Sequence, residues 1–201
     1  MNRYLLTFAV TVVSASTISA GVAMATDSPA PQAPAAQTPA VTASRLAEQL
    51  PAFQRARVAT DALPPALAKA PGALHGATPD ASLSRRTGPT NAPIYLVPAD
   101  NDQVCAFADL PDTGWGGSCT TTAAQAALGT GGFSKTADGV RFWGSVPTAV
   151  TAVRIETDAQ TVKVTVQDGG YTADVNGSTP NQLVLTTKDG AEHAFEVPPL
   201  K

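Results

Sequence analysis

The sequence predicts a mainly β protein, an Ig-like antiparallel β-sandwich of about nine short strands with one short helix. Three observations carry that expectation. Across residues 140–197 apolar and polar residues alternate, the period of a strand with one face buried and one in water. Turn-forming groups punctuate this half of the chain at Ala137-Asp138-Gly139, Asp168-Gly169-Gly170 and Asn176-Gly177. Residues 121–128 (TTAAQAAL) are the one strong helix signal there, with Thr120 or Thr121 as N-cap and Gly129 as the stop.

Ahead of the strands the chain reads as three kinds of segment. Residues 1–25 look like a secretory signal peptide. Arg3 and the amino terminus make a positive start, residues 4–13 are apolar, and Ala23-Met24-Ala25 is a small-x-small cleavage motif. No Cys follows the motif, so no lipid anchor is expected there. The alternative is an uncleaved membrane anchor, because residues 4–24 carry no charge and are just long enough to span a bilayer. The Ser and Thr content and the cleavage motif favour removal, which makes the protein secreted or cell-surface, with no membrane contact after cleavage. Residues 26–44 are a disordered Ala/Pro linker, too poor in large apolar groups to offset the entropy of ordering. Residues 45–91 are a partly helical stem and loop. Leu46, Leu50 and Phe53 fall at helical spacing behind a Ser44 N-cap, Pro51 interrupts the helix, and Leu63-Pro64-Pro65 ends it before a second turn at 66–70. Most of this stem reads as poorly ordered; the alternative is that Phe53 and its neighbours dock on the β domain, the basic stem complementing its acidity.

The β domain is expected over residues 92–199. Its strands begin with 94–97, closed by Pro98, and 103–108. A Gly/Asp/Pro loop follows at 109–118. After the helix come a hairpin of 133–136 with 140–146 and strand cores at 153–155, 162–166, 171–175, 183–185 and 193–197. Charge suggests a register. Pairing Ile155 with Val164 sets Glu156 opposite Lys163, whereas a slip of two sets Arg154 opposite Lys163, a like-charge pair. Pairing Val166 with Tyr171 then sets Lys163 opposite Asp174.

Net charge is −3, unevenly spread: seven Lys/Arg against four Asp/Glu through residue 90, six against twelve beyond it. An acidic β domain does not suit nucleic acid, whose phosphates need a basic stripe, nor anionic lipid surfaces. In an oxidising compartment Cys105 and Cys119 pair as a disulfide, closing a loop worth ~3 kcal/mol in the chain-entropy model. Gly116-Gly117-Ser118-Cys119 most resembles a nucleophile site. It needs a base in reach, and His193 alternates with Phe195 and Val197, which assigns it to the apolar face of its strand. His75 is the other histidine. No metal or cofactor is expected. Asp100-Asn101-Asp102 with Asp109 and Asp112 lacks the spacing of a calcium loop. Asn176-Gly177-Ser178 fits a glycosylation sequon, but the turn reading is preferred. The contacting residues are expected in the 109–118 loop, with Asp109, Asp112, Trp115 and Trp143 as binding residues.

Several segments resemble an uncharacterised group of exported actinobacterial proteins: Phe53-Gln54-Arg55 with Asp61-Ala62-Leu63-Pro64, Leu83-Ser84-Arg85-Arg86, Ile94-Tyr95-Leu96-Val97-Pro98 with Val104-Cys105, and Gly144-Ser145-Val146-Pro147. The resemblance spans most of residues 50–197 and implies an exported bacterial setting without an assigned activity or catalytic residue. The expected role is a non-catalytic binding module at the cell surface, its partner a protein or envelope glycan, with the oligomeric state open. The alternatives are a secreted hydrolase using Ser118 or Cys119, and a protease-inhibitor-like protein presenting the loop between Cys105 and Cys119.

Overall fold

The computed structural model describes residues 43–68, 77–110 and 114–199. The expected signal peptide, the linker through residue 42, His75 and Asp112 lie outside the described residues. Eleven strands, all paired antiparallel, are present among the described residues. They are β1 (Arg85–Thr87), β2 (Ile94–Ala99), β3 (Gln103–Leu110), β4 (Gly114–Thr121), β5 (Thr130–Lys135), β6 (Gly139–Ser145), β7 (Val150–Thr157), β8 (Thr161–Val164), β9 (Gly170–Asn176), β10 (Pro180–Thr187) and β11 (Glu192–Glu196). The short helices are α1 (Ala43–Gln49), α2 (Pro65–Ala68) and α3 (Thr122–Leu128). The strands form three sheets, in the orders β1-β2-β3-β4, β5-β6-β9 and β11-β10-β7-β8.

The two strands beyond the expected nine are β1 and β4, and β4 overturns the loop expected at 109–118. β3 runs on to Leu110 and β4 begins at Gly114, pairing Asp109 with Trp115 and Leu110 with Gly114. The glycines of β4 mask it in the sequence, since glycine has low strand propensity. Nor does Pro98 close β2, which continues to Ala99. β1 pairs only with Ile94 to Leu96, so Pro98 lies beyond its reach, where a missing N–H leaves no ladder bond unmade.

The first sheet is buried on both faces, and the stem does the covering. Ile94, Leu96, Val104, Ala106 and Ala108 pack with Leu46, Leu50 and Phe53, while Tyr95, Val97, Cys105 and Phe107 pack with Leu63 and Leu67. Leu46 and Leu50 are 0% exposed, and burying each contributes about 1.5–3 kcal/mol. The expectation of a poorly ordered stem therefore fails at Leu46, Leu50, Phe53, Leu63 and Leu67, which pack into the core while residues 56–60 between them stay exposed. α1 also starts at Ala43, one residue ahead of the expected Ser44 cap.

A half-buried ion pair within the stem ties it to Arg86 of β1. Asp61, 0% exposed, accepts hydrogen bonds from both terminal nitrogens of Arg55 at 2.7 and 2.6 Å, from the Val58 N–H at 2.7 Å and from the Arg86 N–H at 2.8 Å. Burial alone would raise its pKa, but the Arg55 guanidinium and the two amides outweigh it and hold the carboxyl well below the usual carboxylate range. Ser84 donates to the Asp61 carbonyl, and the Arg85 guanidinium lies 5.4 Å from the centre of the Phe53 ring.

The alternating run of 140–197 divides between the other two sheets, which share one core. Val140, Phe142, Tyr171 and Val175 from β6 and β9 meet Val153, Ile155 and Leu185 from β7 and β10. The expected register is wrong by two residues. Val153 pairs with Val164 and Arg154 with Lys163. The turn decides it: the Thr157 hydroxyl accepts from the Ala159 and Gln160 N–H groups and donates to the Gln160 carbonyl at 2.8 Å. The like-charge pair is relieved because Arg154 turns away to Glu192, at 2.7 and 2.8 Å, and Glu156, at 3.1 Å. The expected turn at Asp168-Gly169 does form, with reciprocal bonds of 2.8 Å between Gln167 and Gly170. The chain crosses to the other sheet at this turn, so β9 pairs with β6, and Asp174 bonds Arg141 at 2.6 Å rather than facing Lys163. Lys163→Glu is accordingly expected to leave strand pairing intact and to raise stability by a few tenths of a kcal/mol, by facing Arg154 with a carboxylate. Cross-strand NOEs between Val153 and Val164, with a urea melt, check this.

Candidate functional site

The open side between these two sheets, beside α3, holds a groove of about 590 Å³. Sequence chemistry explains its walls. Thr121 caps α3, its hydroxyl accepting from the Ala124 N–H at 3.2 Å. The helix then turns Ala123, Ala124, Ala127 and Leu128 to the groove. Ala123, Ala124 and Ala127 are exposed, so the small side chains leave space where larger ones would fill it. Phe142, Tyr171 and Leu185 form the buried floor, with Phe133, Leu183, Phe195 and Val197 partly exposed around it. The Phe133 and Phe142 ring centres are 5.7 Å apart, within the range of favourable tilted aromatic contacts.

The polar lining comes from Gln103, Ser118, Thr120, Thr121, Thr130 and Ser145, on β3 to β6; the residues from β10 and β11 are apolar. No lining residue carries a charge. Tyr171 is the one that titrates, and burial pushes its phenol up. The Gln103 side-chain oxygen is buried without a protein hydrogen-bond partner. The volume lies inside the range common for small-molecule sites.

The sequence-proposed site residues are not brought together. Trp143 is 2% exposed in the core, so it cannot contact a ligand. Trp115 is half-buried against the second face of the first sheet and pairs with Asp109, which is exposed. Asp112 is outside the described residues. Cys105 and Cys119 form the expected disulfide, at directly opposed positions of β3 and β4. That occupies the Cys119 sulfur, which removes it as a nucleophile. Ser118 does line the groove, but its hydroxyl accepts from the Thr130 hydroxyl at 3.3 Å, a group that is no base. His193 is exposed on β11, not packed as expected. Between the cysteines β3 and β4 pair with Ala106, Phe107, Ala108 and Leu110 buried, and the residues that join them, 111–113, lie outside the described residues. The residues between β9 and β10, Gly177 among them at φ 70°, turn the chain from one sheet to the other.

The groove was not anticipated in the sequence. The one available signal was the alanine-rich outer face of α3 following directly on a strand. Among the described residues no group of three or more His, Cys, Asp or Glu is placed to hold a metal ion, and no helix is long and apolar enough to cross a membrane. No protein-family model, curated protein or solved structure matches the chain.

Removing the disulfide, as Cys105→Ser with Cys119→Ser, is expected to cost about 2–5 kcal/mol, read as a lowered urea midpoint. The variant should also loosen the groove, since Cys119 lines it and β4 leads directly into α3.

Proposed function

We propose that this chain is an exported, non-catalytic binding protein of the cell surface, and that its ligand sits in the groove beside α3. The signal-like residues 1–25 and the cysteine pair support export. In this reading the two sheets that share the 140–197 run form an Ig-like sandwich whose open side takes the ligand. The single observation that carries the reading is a well-sized apolar concavity with a few convergent polar groups, the usual character of a binding site. A hydrolase reading would need a base beside Ser118, and the hydroxyl has Thr130 there instead.

The test uses Ala127→Trp, a change at an exposed helix position that projects an indole into the groove. The purified protein and this variant are incubated with envelope extract and analysed by native mass spectrometry. The wild type is expected to retain a ligand that the variant loses. Equal retention by both, or ester hydrolysis abolished by Ser118→Ala, would overturn the proposal.

A further inference from the structure

We infer that the groove takes a neutral, single-chain amphiphile, with its hydrocarbon against the β10–β11 wall and a hydroxyl head against Gln103 and its neighbouring threonines. This rests on the binding reading above and narrows it to a ligand class. The first argument is charge. Residues 91–201 carry eighteen ionisable Asp, Glu, Lys and Arg side chains, six basic against twelve acidic, yet among the described residues none lines the groove. An ionised group placed there would lose its hydration without a counter-charge. The second is the distribution of polarity. Leu183, Leu185, Phe195 and Val197 offer no side-chain donor or acceptor, while the opposite lining from β3 and β4 offers several. A polypeptide brings a donor and an acceptor at nearly every residue, which the β10–β11 lining could not meet with side chains. A hydrocarbon chain brings neither.

The third argument is Gln103. Its side-chain oxygen is one of six buried side-chain nitrogen or oxygen atoms without a hydrogen-bond partner among the described residues, and a turn of the side chain toward the groove it lines would let a donor from outside the chain complete it. Gln103 lines the groove and pairs across the strands with Thr121, so a hydroxyl head bound there would meet the amide and an adjacent threonine together. An envelope glycan fits this lining less well, because its many hydroxyls would face a largely hydrocarbon surface.

The experiment titrates the purified protein with pyrenedecanol, a neutral long-chain alcohol followed by its fluorescence, and displaces it with decanol. Saturable binding at one site, weakened at least tenfold by Ala127→Trp, is the expected result. Gln103→Leu should weaken decanol by about three- to tenfold, the loss of a hydrogen bond, while leaving decane displacement equal or stronger. Binding that Ala127→Trp leaves unchanged, or no saturable binding, overturns the ligand class. If Ala127→Trp still removes a different ligand from envelope extract, the binding-protein reading survives that failure; if it removes none, both readings fall.

Discussion

Asp61→Ala is expected to lower stability by about 1–3 kcal/mol, chiefly the cost of leaving the Val58 and Arg86 amides without their acceptor. The carboxylate is the hub of the contact between stem and sheet. It holds the Arg55 guanidinium through two bonds of 2.7 and 2.6 Å and satisfies the Val58 and Arg86 amides. Arg55 is 37% exposed on its side chain and can turn to water, but the Val58 and Arg86 amides also lose an acceptor. The same bonds make stability depend on pH. The folded-state pKa of Asp61 is depressed below the unfolded value of about 3.9. Its contribution is therefore complete above the unfolded pKa and declines as pH falls through it toward the folded value, because the unfolded chain binds the proton first. The stability advantage of the wild type over Asp61→Asn should shrink steadily from pH 6 to pH 3. Urea titrations at each pH measure it. An advantage constant across that window would show that folding leaves the Asp61 pKa unshifted. Loss of the stem contact should also expose Phe53, raising binding of a hydrophobic dye in the Asp61→Ala variant.

Trp143→Ala is expected to cost about 3–5 kcal/mol, the range for removing a buried aromatic side chain. The ring joins the first sheet to the second. It packs in the core that contains Leu46, Leu50 and Ile94, although Trp143 itself belongs to β6. Two glycines make room for it. A Cβ at Gly116 of β4 would stand 2.8 Å from the indole, and one at Gly132 of β5 would stand 2.9 Å from it. Gly116→Ala should therefore cost about 1–3 kcal/mol by overpacking. In the Trp143→Ala background that cost should vanish, because the obstructing ring is gone. A double-mutant cycle by thermal or urea unfolding reads the coupling directly. Additive losses would show that the two positions do not touch. Both variants should also disturb the groove, since Gly132 lines it and neighbours Phe133.

The strands were legible wherever one face is wet and one dry. The 140–197 run shows its period of two on the page, and each of its expected cores lies in a strand or extends just past one. β2 and β3 were legible as strands but not as doubly buried ones. Their unbroken apolar runs, Ile94 to Val97 and Val104 to Ala108, are what a strand covered on both faces looks like. The missing cover was read as a loose stem, because Leu46, Leu50, Leu63 and Leu67 sit among prolines and alanines and reveal their partners only in space. Trp143 was misplaced as a contact residue for a related reason. Aromatics on both faces of the Trp143 strand fit either an exposed apolar patch or a strand buried on both faces, and the structure has the second, with Trp143 2% exposed.

Alternation, turn residues and cysteine count were enough to establish a mainly β, disulfide-bonded protein, since these are local properties of backbone geometry and bond chemistry. Register, sheet membership and the site were not local. The pairing of Arg154 with Lys163 was set by hydrogen bonds inside the 157–160 turn and made tolerable by Glu192, thirty-eight residues away. β9 joined β6 rather than β8 because the chain crosses between sheets over residues 165–169, before β9 begins at Gly170. The groove exists because α3 and β5, adjacent in sequence, meet β10 and β11 from about fifty residues on, and their small and apolar side chains leave the space between them open. A concavity is a property of what surrounds it, and no single stretch of the chain encodes it.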